Sequence, residues 1–264
     1  MSEPVPGPDR AHLRRAYLLD AEEFEVLWEA LAGADRDLGG PPTVLGLGSP
    51  GRTREARRHV RAAVWRALCE RGLAGPGGPE PGLVRRLRSL VHPAEQLELR
   101  ALWDGRLRVV AAGRDGPGTL AIRRGDAVLV TGAGSLPSAL FAVLPPARPG
   151  PGRTCTVPTP VLSAAAGAPQ LVPALVAAGA PPGEARLLAW MLGTTRRRAQ
   201  VVALVESSPD APLRRTDGVV GVLDGHGGRY LVSRTTGPDG TEWTSVAPAD
   251  PRHLRRRIGA LLRG

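Results

Sequence analysis

Three sets of residues have the types and spacing that chemistry needs. The first is Gly46-Leu47-Gly48-Ser49-Pro50-Gly51, a GxGxxG run behind an expected short strand at Thr43–Leu45 and ahead of a helix. In a dinucleotide site such glycines let backbone amides approach a pyrophosphate at a helix N-terminus. Here Pro50 removes one amide donor. After Gly72 the chain enters a Gly/Pro stretch and a helix, not the second strand that would carry a ribose-binding acid, and Glu70, at a suitable spacing, sits at a helix end. The run reads first as a helix-start loop and second as a nucleotide or small-molecule site.

The second set is the metal-binding and nucleophilic residues. His12, His59, His92, His226 and His253 are scattered, with none three or four residues from another, so no helical metal pair forms. His226 falls in the turn Asp224-Gly225-His226-Gly227-Gly228 and reads as loop chemistry rather than as an exposed base. Cys69 and Cys155 have neither disulfide-framework nor ligand spacing. Cys69 lies in a helical pattern and reads as a small buried hydrophobe. The patterns GxSxG and HExxH are absent, and a lysine-dependent phosphate loop is impossible without lysine. The sequence therefore assigns no catalytic residue, no cofactor and no metal, although an acid–base pair made of spatial neighbours stays open.

The third set is the arginines. All 35 basic residues are arginine, the chain has no lysine and no asparagine, and the net charge is +10. The bias fits a GC-rich genome, and the sign favours an acidic partner, nucleic acid or protein. The runs Arg57–Arg58, Arg196–Arg198 and Arg255–Arg257 are short and fall on expected helices or strand starts, where they read as solvated faces. A base-stacking platform would interleave aromatics with basic residues on exposed strands. Only Tyr230 beside Arg229 approaches that, and Trp65, Trp190 and Trp243 occupy core-compatible positions. Nucleic-acid binding is the weaker reading.

These residues are positioned by alternating helical and strand periods. A helix is expected from Asp20 to Leu31, with Asp20 and Glu23 at capping-box spacing and Phe24, Leu27, Trp28 and Leu31 on one face. A second runs from Thr53 to Arg71 on the stripe Ala56, Val60, Val64, Ala67 and Leu68, stopped by Gly72, and a third from Leu83 to Leu90. The period then becomes two. Leu97, Leu99 and Trp103 point one way and Glu98 and Arg100 the other, Asp104-Gly105 turns, and Arg106–Ala112 returns. The loop Gly113–Gly118 leads to strands Thr119–Arg123 and Ala127–Thr131 and a helix Ser135–Leu144, with Ser135 as the expected cap. Beyond a Pro/Gly-rich linker come helices near Pro160–Ala166, Leu171–Ala178 and Gly183–Leu192. Ala199–Val205 follows, apolar on both faces and so an expected central, covered strand. Then come Gly218–Leu223, Arg229–Ser233, Thr241–Val246 and a last helix started by Asp250-Pro251.

A meander followed by an amphipathic helix thus occurs twice. The expected fold is α+β, with pseudo-twofold halves around a central antiparallel sheet flanked by helices. We expect one domain over residues 1–264, with an N-terminal half 18–144, a linker 145–157 and a C-terminal half 158–262. Aromatics are only 3%, so the core must be Leu, Val and Ala. Residues Met1–Arg10 carry no apolar signal region, and no apolar run approaches the roughly 20 residues that span a bilayer, so the expected address is the cytoplasm.

Taken in order, several segments resemble the EspG family, the ESX (type VII) secretion-associated chaperones of actinobacteria. They are FEVLWEAL at Phe24–Leu31, Ser49-Pro50-Gly51-Arg52-Thr53 opening a long helix that ends in Glu70-Arg71-Gly72-Leu73, and LELRALWDGRLRV at Leu97–Val109. The C-terminal run Gly227-Gly228-Arg229-Tyr230, Trp243, Pro248, Asp250-Pro251, Leu254, Ile258 and Leu261-Leu262 continues the match, which spans roughly Leu18 to Leu262 through order and spacing. The resemblance implies a cofactor-free binding protein, not an enzyme, that grips the helical tip of a PE–PPE heterodimer or a related small helical ESX substrate and keeps it soluble for export. It implies a monomer or weak dimer when free, with no nucleic acid and no stable membrane insertion. Three contact regions are implied: a loop at Arg114, Asp115, Gly116 and Pro117; a sheet face with Val202, Leu204, Arg229 and Tyr230; and a helical bundle with Leu171, Leu175, Leu187, Leu188 and Met191. The loop is long in well-known members and a tight Gly/Pro turn here.

Overall fold

The computed structural model describes residues 15–34, 39–48, 54–103, 105–114, 116–193, 195–209 and 211–263. Strand β1 (Tyr17–Asp20) runs directly into α1 (Ala21–Ala34). The expected capping box forms: the Glu23 N–H donates to Asp20 Oδ1 at 2.7 Å and the Asp20 N–H to Glu23 Oε2 at 3.0 Å. Then come α2 (Arg54–Glu70), the small hairpin β2 (Ala74–Gly75) and β3 (Gly78–Pro79), and α3 (Pro81–Arg88). Glu80 caps α3 by accepting the Leu83 N–H at 2.7 Å, and it also accepts the Tyr17 hydroxyl at 2.8 Å, which ties that helix to β1.

The meander β4 (Glu95–Leu102), β5 (Arg106–Gly113), β6 (Gly118–Arg124) and β7 (Ala127–Ala133) closes with α4 (Leu136–Val143). The second half repeats the plan. Strand β8 (Cys155–Pro158) leads into α5 (Thr159–Ala164), α6 (Leu171–Ala177) and α7 (Pro182–Leu192). The meander β9 (Thr195–Val205), β10 (Arg214–Gly225), β11 (Gly228–Thr236) and β12 (Glu242–Pro248) then ends in α8 (Pro251–Ala260).

Among the described residues ten strands make one sheet, in the order β1-β7-β6-β5-β4-β9-β10-β11-β12-β8, and every neighbouring pair is antiparallel. The halves meet at β4 and β9, in register from Glu95↔Val205 to Leu102↔Arg198. On one sheet face α4 and α8, one from each half, cover Leu97, Leu99, Val109, Val201, Val220 and Val222. On the other, α1–α3 cover the outer strands of the first half and α5–α7 those of the second. Phe24, Val26, Leu27, Leu175 and Leu188 are fully buried in those two helical layers. Each such side chain stabilises the fold by about 1.5–3 kcal/mol.

Several expectations are corrected. Thr43–Leu45 is a short 3-10 turn that ends at a left-handed Gly46 (φ 58). Pro41 and Pro42 remove the amides that a ladder would use. Strand β8 begins inside the stretch 145–157 expected to be linker, and it occupies the sheet edge equivalent to β1. Ser135 makes no side-chain cap bond. Cys69 is exposed, because it follows the buried Leu68 and so lies about 100° around the helix from the inward stripe. Trp190 is 51% exposed, and Trp65 and Trp243 are half-buried. Strand β9 is covered on one face only: Ala199, Val201 and Ala203 are buried, Val202 and Leu204 half-buried, and Gln200 exposed. Asp104 of the first hairpin turn and Ser49–Thr53 lie outside the described residues.

Candidate functional site: an arginine-lined groove on the central sheet

Side chains directly opposite each other in paired strands point to the same side. Arg100 pairs with Gln200, Gln200 with Gly221, and Gly221 with Val232. One row further, Leu102 pairs with Arg198 and Arg198 with Leu223. These residues floor the stretch between the two helical layers, where β4, β9 and β10 lie open. The result is a groove of about 1100 Å³. One wall is the α5–α6 connection (Ala165–Pro169) with Leu171, and the end of α7 contributes Leu192. Gly221 deepens the floor, since a Cβ there would stand 3.1 Å from that of Val232.

Among the described residues six arginines line the groove (Arg100, Arg106, Arg108, Arg198, Arg215 and Arg234) and no acidic residue does. Arg108 donates to the Val44 carbonyl at 3.2 Å, and Arg100 lies 3.5 Å from Glu98, a buried residue outside the lining whose other oxygen accepts from Gln96. Arginine is a permanent cation that matches carboxylates in a bidentate fork. Apolar surface is interleaved with the charge: Leu102 is 43% exposed, and Val219 and Leu171 are half-exposed.

The residues expected from sequence divide into two groups. Leu171 is in the groove wall. Val202 and Leu204 lie on the open sheet face, Leu187 is half-buried, and Gly116 and Pro117 are exposed at the β5–β6 turn. That turn adjoins the Glu95 end of β4, whereas the arginine groove lies toward the Leu102 end. Arg114 is clamped at its base, with both terminal nitrogens donating to Glu206 at 2.9 and 2.8 Å and Nε to the His92 carbonyl at 3.0 Å. Asp115 lies outside the described residues.

The other five are internal, a correction to their expected role as contacts. Leu175, Leu188 and Met191 are fully buried against Cys155, Val157 and Tyr230, because they form the inward stripes of α6 and α7. Tyr230 is on the groove side of the sheet but beneath those helices, donating its hydroxyl to the Pro151 carbonyl at 3.1 Å. Arg229 points to the opposite face, 3% exposed, donating through Nε and Nη2 to Asp224 at 2.7 Å each and through Nη2 to the Pro145 carbonyl at 2.8 Å.

Sequence reasoning missed the groove arginines. The signal was in the strand period: reading β9 two residues at a time joins Arg198 to Gln200, Val202 and Leu204. Which rows share a groove depends on β4 pairing with β9 across some hundred residues.

The other chemical candidates have structural roles. Arg108 and Arg123 donate to the carbonyls of Val44, Leu45 and Gly46, and so fasten the glycine loop to the sheet. The Cys155 thiol is pushed up to about 12 by burial, then by its 2.7 Å bond to the Glu184 carboxylate and by that group's charge. It is therefore a poor nucleophile at neutral pH. Among the described residues no three His, Cys, Asp or Glu side chains gather to hold a metal, and no helix is long and apolar enough to cross a membrane.

An antiparallel sheet with paired helical layers and an open, unlidded central face defines an α+β binding scaffold. The chain belongs to the EspG family, whose model matches residues 20–260. Among solved structures it is similar to EspG5 of Mycobacterium tuberculosis, a type VII secretion system chaperone determined in complex with the PE25–PPE41 dimer. The TM-score is 0.71 at 18% identity, over 94% of this chain and 96% of that one. The comparison with curated proteins gave no match.

Proposed function

We propose that this chain is a cytoplasmic chaperone of a type VII secretion system that binds a PE–PPE heterodimer through the open face of its central sheet, without catalysis or a cofactor. The observation that carries the reading is the groove between the two helical layers, left uncovered on a sheet whose outer strands are all covered. Family membership and the fold shared with a chaperone solved on such a dimer support it. A helical tip with exposed apolar residues aggregates unless covered. A groove with apolar patches and a polar rim covers it reversibly. In this reading Leu171, Val202 and Leu204 contact the client, Leu187 on α7 and Gly116 and Pro117 at the β5–β6 turn make outlying contacts beyond the arginine groove, and the two halves act as one domain.

The test is to mix the purified chain with PE–PPE heterodimers encoded in its own genome and to weigh the products by size-exclusion chromatography with light scattering. A complex of one chain with one heterodimer is expected. Leu171→Asp should weaken it by at least about tenfold, as loss of a buried apolar contact does, and a melt of the variant separates that loss from any lost packing against the α5–α7 core. A chain that binds none of the heterodimers would overturn the reading.

A further inference from the structure

The groove carries more information than an apolar docking face would. Among the described residues its lining contains six arginines and no acid, and only two of the six have a side-chain partner: Arg100 beside Glu98, and Arg108 on the Val44 carbonyl. The side chains of Arg106, Arg198, Arg215 and Arg234 make no hydrogen bond or ion pair with another described residue, and all four are exposed to the groove mouth. Gathering like charges on one surface opposes folding unless something compensates it. Leu102 and Val219 lie between the cations, so the surface alternates charge with apolar area.

The size is equally specific. From Arg198 to Leu204, the partner of Arg215, is six residues of β9, roughly 20 Å at about 3.3 Å each, the length of about three to four turns of helix at a 5.4 Å pitch. Two turns present side chains at i, i+3, i+4 and i+7 along one face, and carboxylates at i and i+4 stand about 6 Å apart.

We infer that the groove selects an acidic helical segment: about three to four turns of client helix whose Glu or Asp side chains flank an apolar stripe and are taken by Arg198, Arg215 and Arg234. Bidentate guanidinium–carboxylate pairs then set which client docks and in what orientation. The inference rests on the chaperone reading for the source of the helix, and it adds the chemistry by which a client is chosen. Because the β5–β6 turn is short and Arg114 is clamped at its base, the groove rather than that turn supplies the selective contacts.

The experiment uses the full chain and a fluorescein-labelled amphipathic peptide of about 20 residues, long enough to populate helix in water. It carries one leucine stripe flanked by glutamates, and its twin has glutamines in their place. Anisotropy is read in salt of about 0.15 M, where bulk charge is screened beyond about 8 Å. The glutamate peptide should bind at least about tenfold tighter than its twin. Arg198→Glu with Arg234→Glu should abolish that preference, and Arg66→Glu, an exposed reversal on α2, should not. Equal binding of the two peptides, no binding of either, or equal loss with Arg66→Glu would overturn the inference. So would displacement of the peptide by a single-stranded oligonucleotide that binds more tightly through the same arginines. The heterodimer mixing above, repeated with the double reversal, separates the two claims. A heterodimer that still binds leaves the chaperone and removes the arginine selection. Peptide selectivity with no heterodimer bound leaves the selection and removes the chaperone.

Discussion

At the scale of single residues, Arg229 and Asp224 form a buried bidentate pair whose side chains are 4% and 12% exposed. Removing one member leaves the other charge desolvated and alone, which costs about 3–5 kcal/mol. Arg229→Ala should therefore lower the denaturant midpoint sharply, and any loss of client binding should track the unfolded fraction. The resemblance offered Arg229 as a contact; the sequence could not show that its alternating position faces the α4 and α8 side. The two thiols make an opposite pair. Exposed Cys69 should react with a thiol reagent at pH 8, while Cys155 should stay silent until the chain unfolds. Since folding raises the Cys155 value above the ordinary thiol range near ~8.5, its protonated form favours the native state. That contribution is complete below about pH 8.5 and is lost as the pH rises toward about 12. A stability curve in that window should fall less steeply for Cys155→Ala.

At the scale of elements, most helix starts were legible because their signals are local. Asp20 with Glu23, and Asp250 ahead of Pro251, make the bonds their types predict. The His253 amide bond holds the Asp250 carboxylate below its usual range. A lowered folded value means stability that is present above the ordinary carboxylate pKa of ~3.9 and is lost as pH falls through the folded one. Asp250→Ala should cost about 1 kcal/mol at pH 7, and its deficit against the parent should close below about pH 4 in parallel denaturant melts. Strand β8 and the groove rows were not legible, because their identity is set by partners far away in sequence. Cys155–Pro158 is short and flanked by Pro and Gly, and it becomes a strand only by pairing with β12. At Gly228, φ is 131° and a Cβ would meet the Arg148 carbonyl oxygen at 2.6 Å, so the segment before β8 packs there only against a bare backbone. Gly→Ala gains roughly 0.4–1 kcal/mol where the backbone allows it and costs more than that where φ is positive, so Gly228→Ala should destabilise by more than about 1 kcal/mol, read as a drop in melting temperature.

At the scale of the whole molecule, the repeat is fuller than the doubled meander suggested. Among the described residues each half is an edge strand, three helices, a four-stranded meander and a closing helix. Joining the halves through β4 and β9 puts the seam at the centre of the sheet. The closing helices meet across one face of that seam, while the helical triplets stay apart on the other and leave the groove. Part of the +10 charge, read from sequence as solvated faces, is gathered there.

Hydrogen–deuterium exchange on the chain alone and mixed with a PE–PPE heterodimer tests this account most directly. Amides in the central strands exchange slowly in either state, so the informative segments are the exposed α5–α6 connection at Ala166–Gln170 and the stretch of β10 from Arg215 to Val219, where the pairing with β9 shifts register. The account predicts a complex in which both segments gain protection while the α4 and α8 surface is unchanged. No complex, or protection confined to α4 and α8, would contradict it.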